Sequence, residues 1–505
     1  MSVVPSVNSL LQRPRQDEVG AYALRGALWT GGLTLARVAV SIAATAILAR
    51  LLTPSDYGIV AMVGTLTAFF ELFSDCGLST ASVQKRNLTK AQVDNLFWLN
   101  AAVGVALCAA CALAGPLLSG YYRQSAIAPV AAMTGLGFLF GGFSVQPLAL
   151  LSRQMRLKDV SIIRLSAHFL GACAGVCMAF LGLRYWALVG QSLVVHAMIL
   201  ALVFAHVRYR PGLPRPGQGT LDMLKFGGHM TAFSILIYLV RNLDNLLIGR
   251  FCGAEQLGYY SRAYFLTTFP MTFIAGSVGA ALIPALACVS HDRQKTTDLY
   301  RNTITAISSI AFPVAIGSLV TAPWLIRLVY GPKWLPVVPI FYWLAVSAVF
   351  QPVVATAYWL LIACGRTREL VLSTAVVTVI VVTGFTAGVH WGVAGVAISF
   401  AITMGLLIPT PLLWFAHRVA GIQFHATVRA IAPYLGAAIV MGVIATACGQ
   451  WLTPGDADWR ISLAVRVLAG LVTYGALRWK QCKAAAQAVW TEVAGTKVTA
   501  IPAQS

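Results

Sequence analysis

RNLDNLLIGRFCGAEQLGYYSRAY, residues 241–264, carries Arg241, Asp244 and Asn245 inside an apolar run, leaves that run at Arg250 and enters a second apolar run after Gly258. The spacing predicts a turn over Gly253 to Gly258. A charged side chain in the middle of a membrane helix costs about 2.5–3.5 kcal/mol on insertion scales. A chain that keeps Arg241 and Asp244 there therefore uses them or pairs them. The same order of parts occurs 200 residues earlier: ILARLLTPSDYG at 47–58 aligns with LIGRFCGAEQLG at 247–258, matching Arg50 with Arg250 and Gly58 with Gly258. Halves built in the same order point to an internal structural repeat, a common plan among transporters.

The rest of the chain has the composition of a polytopic membrane protein. Of 505 residues, 58% are hydrophobic and only 10% charged, against about 25% charged in soluble domains. Mean hydropathy is +0.77. Apolar runs of about 20 residues recur often enough for about 14 spans. Hydrocarbon offers no water, so each span must bond its own backbone, and the fold class is an all-α integral membrane protein. Residues 1–25 form a polar tail, and the run behind them is too long for a cleavable signal peptide. Six spans fill 26–207, a basic Pro/Gly-rich linker covers 208–221, and six more spans fill 222–416. Two final spans lie in 417–478, ahead of a polar tail at 479–505. In this order the second span is expected over 57–82 after a TPSD turn at 53–56, the seventh over 222–249 and the eighth over 257–286.

A net charge of +20 would suggest nucleic acid as the partner of a soluble protein. Here it is a topology signal, and no nucleic acid is expected. Roughly two dozen Lys and Arg collect in the tails and on alternate loops, which places both termini in the cytoplasm. No loop is long enough to fold as a domain, so the work is done within the helix bundle or at its rim. The sequence holds no Gly-rich GK[ST] loop, HExxH, GxSxG or His/Cys cluster. Neither a catalytic site nor a metal or cofactor is expected, and the chain does not read as an enzyme. Cys108-x-x-Cys111 lies in a continuous apolar run and reads as packing.

The embedded charges are the candidate working residues. Arg37 lies about halfway along the first span, Arg164 about one turn into the fifth, and Arg241 toward the outer side of the seventh. They suit a cationic cavity for an anionic substrate, because guanidinium binds phosphate through two parallel donors. The bland alternatives are a structural pair or a side chain snorkelling to the interface. Arg164 and His168 are four apart and share a helix face. Asp244, grouped with Arg241 and Asn245, either neutralises Arg241 or carries a coupling proton or sodium ion. Glu71 and Asp75, also four apart, either hold a cation or pair with Arg37 or Arg164. His196 has no spacing partner. Tyr259, Tyr260, Tyr264 and Trp334 read as interfacial anchors, and Arg466 as a snorkelling or paired side chain.

Taken together, LARLLTPSDYGIVAM (48–62), FSDCGLSTASVQK (73–85), NLDNLLIGRF (242–251), LGYYSRAY (257–264) and ALIPALA (281–287) resemble the Wzx-type polysaccharide flippases. The nearest subgroup is the one that includes the colanic-acid flippase, within the superfamily of multidrug and oligosaccharidyl-lipid exporters. The resemblance implies a V-shaped bundle of two six-helix lobes plus two extra C-terminal helices. It further implies an undecaprenyl-diphosphate-linked oligosaccharide as substrate, moved from the cytoplasmic to the periplasmic leaflet of the bacterial inner membrane. The route would be alternating access through a cationic cavity, which Arg37 and Arg241 are placed to line. A polymerase and export machinery would act downstream. Two other readings stay open: an ion-coupled multidrug-type antiporter, and a membrane glycan polymerase.

Overall fold

The computed structural model describes residues 19–74, 89–207, 209–214, 228–289, 291–453 and 458–495. Among them every regular element is a helix. In chain order these are α1 (Val19–Leu51), α2 (Pro54–Glu71), α3 (Lys90–Tyr122), α4 (Ile127–Arg153), α5 (Leu157–Phe180), α6 (Trp186–Val207), α7 (Gly228–Phe251) and α8 (Gly253–Val289). There follow α9 (Arg293–Val320), a short α10 (Ala322–Val329), α11 (Val337–Ala363), α12 (Thr367–Gly388), α13 (Gly392–Phe400), α14 (Pro409–Ala420), α15 (Phe424–Leu452) and α16 (Trp459–Gly495). Among the described residues ten stretches are long and apolar enough to cross a membrane, and one of them, Thr367–Ala420, is 54 residues long. About 20 residues suffice for one crossing, so that stretch holds two spans. The chain is a multi-pass, all-helical membrane protein. α2, α7 and α8 are not among the ten; α7 carries Arg241, Asp244 and Arg250 near its end.

The described residues divide into two compact units. The first runs to Tyr238 and takes in Gly253–Gly258; the second consists of Leu239–Cys252 and everything from Tyr259 onward.

Within the first unit, α3 and α4 pack backbone to backbone. A Cβ placed on Gly104 would lie 2.6 Å from the Phe138 carbonyl oxygen, and one on Gly142 would lie 2.5 Å from that of Asn100. Small residues at such crossings replace the hydrophobic drive that lipid cannot supply. After α6 the chain is pinned back onto α3. The Tyr209 hydroxyl donates to the Asp94 carboxylate at 2.5 Å, and the Trp98 indole N–H donates to the Gly212 carbonyl at 2.8 Å. Burial, then the bond and charge of Asp94, hold the Tyr209 hydroxyl well above the ordinary phenol range.

The expected turns are tighter than the sequence reading places them. TPSD is not a turn but the start of α2. Thr53 accepts from the Asp56 N–H at 3.3 Å, Asp56 accepts from the Thr53 N–H at 2.9 Å, and Pro54 occupies the first turn. This reciprocal cap satisfies two end donors at once. The predicted turn over 253–258 likewise collapses to one residue. Gly253 at φ +86° reverses the chain alone, a conformation that costs glycine little. Gly253 is also the first residue of α8, so residues 254–258 already lie in that helix.

The repeated glycines meet in this first unit. A Cβ on Gly58 would sit 1.7 Å from the Ala254 carbonyl oxygen, and a Cβ on Gly258 would sit 1.8 Å from that of Pro54. Positions 54 and 58 correspond to 254 and 258 in the repeat. The two contacts are therefore the same contact seen from either helix start.

In the second unit α11 is apolar all round and mostly buried, with Tyr342 and Trp343 exposed near its start. The twelfth expected span is broken. A wide π-turn over Ala401–Leu407 separates α13 from α14, just ahead of Pro409. Proline cannot donate to the carbonyl four residues back and clashes with it, and the wide turn absorbs the misfit. Arg466 does not snorkel: it is 7% exposed, stacks on Trp324 at 3.9 Å from the ring centroid, and donates to the Ser462 carbonyl at 3.3 Å.

Candidate functional site

Three helices of the first unit assemble a basic cluster. α1 supplies Arg37, α5 supplies Arg164 and His168, and α6 supplies His196. The charges of Arg37 and Arg164 act on each other, and both act on His168, as does His196. Arg37, His168 and His196 are half-buried and Arg164 is exposed. Four-residue spacing puts Arg164 and His168 on one face of α5. His196 turns its Nδ1 to the Ser192 carbonyl at 2.8 Å. The α4 backbone passes beside that ring, where a Cβ on Gly137 would make an ordinary contact, 3.6 Å from Nδ1. Among the described residues no carboxylate is within ion-pair distance of Arg37 or Arg164. Two guanidiniums on membrane helices whose charges act on each other repel, and the arrangement becomes favourable when an anion or water lies on them.

The remaining candidates on α2 stand apart from this cluster. Glu71 is exposed at the end of the helix, and among the described residues it makes no ion pair with Arg37 or Arg164. Asp75 lies outside the described residues.

The second unit separates the three polar residues of α7. Arg241 is exposed, and its charge reaches Tyr264 and Tyr358. Asp244 is 1% exposed. Its carboxylate accepts from the Tyr260 hydroxyl at 2.7 Å and from the Asn245 backbone N–H at 2.8 Å. Among the described residues no ion pair joins it to Arg241. The Asn245 Oδ1 is buried with no hydrogen-bond partner among the described residues. Tyr260 is fully buried, as is Trp334, so neither is an interfacial anchor. Residues 244 and 260 are equally far from Cys252, and the one-residue reversal beside it brings them face to face. That symmetry was the available signal for Tyr260. No spacing signal pointed to His196, whose neighbours lie on other helices.

The Asp244–Tyr260 bond supports a stability prediction. Asp244→Ala strands a fully buried hydroxyl and should cost about 1–3 kcal/mol, whereas Asp244→Asn keeps an acceptor and should cost less. Thermal unfolding of the purified variants in detergent checks the order. Equal losses would show that the hydrogen bond is not what Asp244 contributes.

A second feature of this unit is a cavity of about 530 Å³ among α9, α15 and α16. It is lined by apolar side chains such as Val314, Met441 and Leu471, with Arg466 and Arg478 also on its wall.

The fold defines a class. It superposes on the lipid II flippase MurJ in an inward closed conformation with a TM-score of 0.70, at 12% identity, over 90% of this chain and 99% of that one. An inward-facing MATE multidrug transporter of the MOP superfamily matches with a TM-score of 0.52, at 15% identity, over 78% and 96%. The likeness to both is one of fold. Residues 47–339 match the family described as polysaccharide biosynthesis protein, more than half of the chain, and the chain belongs to that family. It is the group to which the sequence motifs point. The lipopolysaccharide biosynthesis protein WzxC of Escherichia coli (strain K12) is 26% identical over 334 residues, 65% of this chain and 68% of that protein. The teichuronic acid biosynthesis protein TuaB of Bacillus subtilis (strain 168) is 26% identical over 345 residues, 68% and 71% of the two chains. The succinoglycan biosynthesis transport protein ExoT of Rhizobium meliloti (strain 1021) is 26% identical over 302 residues, 60% and 61%.

Proposed function

We propose that this protein is a lipid-linked oligosaccharide flippase of the bacterial inner membrane, with both termini in the cytoplasm. Its substrate is an undecaprenyl-diphosphate-linked repeat unit, carried from the cytoplasmic to the periplasmic leaflet for surface polysaccharide synthesis. The observation that carries this reading is the basic cluster of Arg37, Arg164, His168 and His196, which has no described carboxylate to neutralise it. A diphosphate is the ligand such a cluster suits, because it offers several oxygens to paired guanidinium donors. Diphosphate and glycan cannot enter hydrocarbon without a large desolvation cost, so a polar route through the protein is needed, opened to each side in turn. Arg241 is a further cation available to the substrate in the second unit. The apolar cavity lined by Val314, Met441 and Leu471 offers surface for a hydrocarbon chain. Relatives named for lipopolysaccharide, teichuronic acid and succinoglycan biosynthesis agree with a polysaccharide pathway, in which a polymerase consumes the flipped unit.

Deletion in the native host tests the reading, with surface polymer and lipid-linked intermediates analysed together. The expected result is loss of polymer with complete repeat units held at the cytoplasmic leaflet. Normal polymer with altered drug tolerance would overturn it in favour of an antiporter. Single units gathering on the periplasmic side would point to a polymerase.

A further inference from the structure

In the second unit the start of α16 meets the short helix α10 through a reciprocal pair of cation–aromatic contacts. Arg466 of α16 lies over Trp324 of α10 at 3.9 Å from the ring centroid, and Arg327 of α10 lies over Trp459 of α16 at 5.2 Å. Arg460 takes a second place on the Trp459 ring, at 5.6 Å. All three are within the roughly 6 Å over which a ring quadrupole attracts a cation. The arginines differ in what else they meet. Arg466 is buried and donates to the Ser462 carbonyl. Arg327 and Arg460 are exposed, and among the described residues no carboxylate is within ion-pair distance of either. Asp458, two residues before Arg460, instead accepts from the Arg460 backbone N–H at 3.1 Å. Each exposed arginine is followed directly by an exposed aliphatic side chain, Leu328 in one case and Ile461 in the other. Both pairs lie at the end of a membrane span. Arg460 is in the first turn of the span Trp459–Arg478, and Arg327 lies just beyond the span Arg293–Val320.

We infer that Arg327 and Arg460, both held on the Trp459 ring, bind the phosphate of an anionic phospholipid from the surrounding bilayer. The inference does not depend on which substrate the protein carries. Two guanidiniums on one ring repel each other until an anion lies across them, and arginine meets a phosphate with paired N–H donors. Leu328 and Ile461 show that the anion is an amphiphile. A free phosphate would leave them uncovered, whereas a lipid lays its acyl chains along them while its phosphate stays at the arginines. The bilayer is the source because cations at the ends of spans stand at the level of the headgroups. A lipid bound in this way ties α10 to α16, since one arginine comes from each helix.

The test is native mass spectrometry of the full-length protein in detergent, titrated with phosphatidylglycerol, with phosphatidylcholine and with farnesyl diphosphate. The first phosphatidylglycerol should bind about tenfold tighter than phosphatidylcholine, the scale of one or two charge-assisted hydrogen bonds. The Arg327→Ala/Arg460→Ala double variant should lose that preference. Arg123→Ala/Arg368→Ala removes the same charge from two exposed arginines at other helix ends and should keep it. Should the first double variant fail to fold, Arg460→Ala alone leaves the contact of Arg327 with Trp459 in place and should still weaken the preference severalfold. Farnesyl diphosphate should bind every folded variant as it binds the wild type. A wild type without the preference, or a patch variant that keeps it, overturns the inference. So does an equal loss in the charge-matched control, which would mean attraction by net charge alone. Loss of farnesyl diphosphate from the patch variants alone would also overturn it, by giving the patch to the transported lipid.

Discussion

Replacing Gly258 with valine should leave little folded protein in the membrane, and Gly58→Val should do the same. A Cβ on Gly258 would lie 1.8 Å from the Pro54 oxygen, 2.6 Å from its carbonyl carbon and 3.1 Å from its Cα. All three are backbone atoms at the start of a capped helix, so no side chain can turn aside. The Thr53–Asp56 cap that starts α2 lies within two residues of Pro54, so relief of the clash has to break it as well. Overpacking typically costs about 1–3 kcal/mol when side chains can yield, and here they cannot. Gly64 is the internal control on the same helix, because nothing lies within 4 Å of a Cβ there. Gly64→Ala should be neutral or slightly stabilising, by up to about 1 kcal/mol of helix propensity. Fluorescence-detected gel filtration of tagged variants reads the difference. A monodisperse Gly258→Val protein at wild-type yield would show that the helix starts do not cross as described.

The second large effect falls on transport and spares stability. Arg37→Ala and Arg164→Ala should each lower polysaccharide export by about tenfold or more, the scale of one charge-assisted hydrogen bond. Neither should lower the melting temperature. Removing one of the two guanidiniums relieves their repulsion, so the variants should be as stable as the wild type or more so. Lysine should rescue poorly, since it offers a point charge where a two-pronged donor is wanted. Melting curves and export measured on the same strains separate the two roles. Loss of stability with export retained would make these arginines structural.

The helical rods are legible because hydrocarbon enforces them: among the described residues the apolar runs are helices, and the twelfth span breaks ahead of Pro409. Equivalence of Gly58 and Gly258 is also legible in the sequence. Contacts across helices were not. Spacing reports which residues share one face, as it does for Arg164 and His168, but not which faces meet. His196 reaches the cluster from another helix, with the backbone of a fourth beside its ring at Gly137. The sequence suggests an anchor at Tyr260 because an aromatic near a helix end fits the interface as well as it fits a buried hydrogen bond. The single-residue reversal at Gly253, which decides between the two, depends on a backbone angle that composition does not announce. Asp244 shows the same limit. Its neighbours in sequence suggested a partner in Arg241, and its bond is to Tyr260.

The most direct test of the central claim is transbilayer movement in proteoliposomes. A fluorescent lipid-diphosphate oligosaccharide is reconstituted with the purified protein, and the fraction reachable by an impermeant quencher is followed over time. The account predicts rapid equilibration with the wild type and rates near those of protein-free vesicles for the Arg37→Ala/Arg164→Ala double variant. Folded wild-type protein that moves the lipid no faster than empty vesicles, or a double variant that moves it as fast as the wild type, would contradict it.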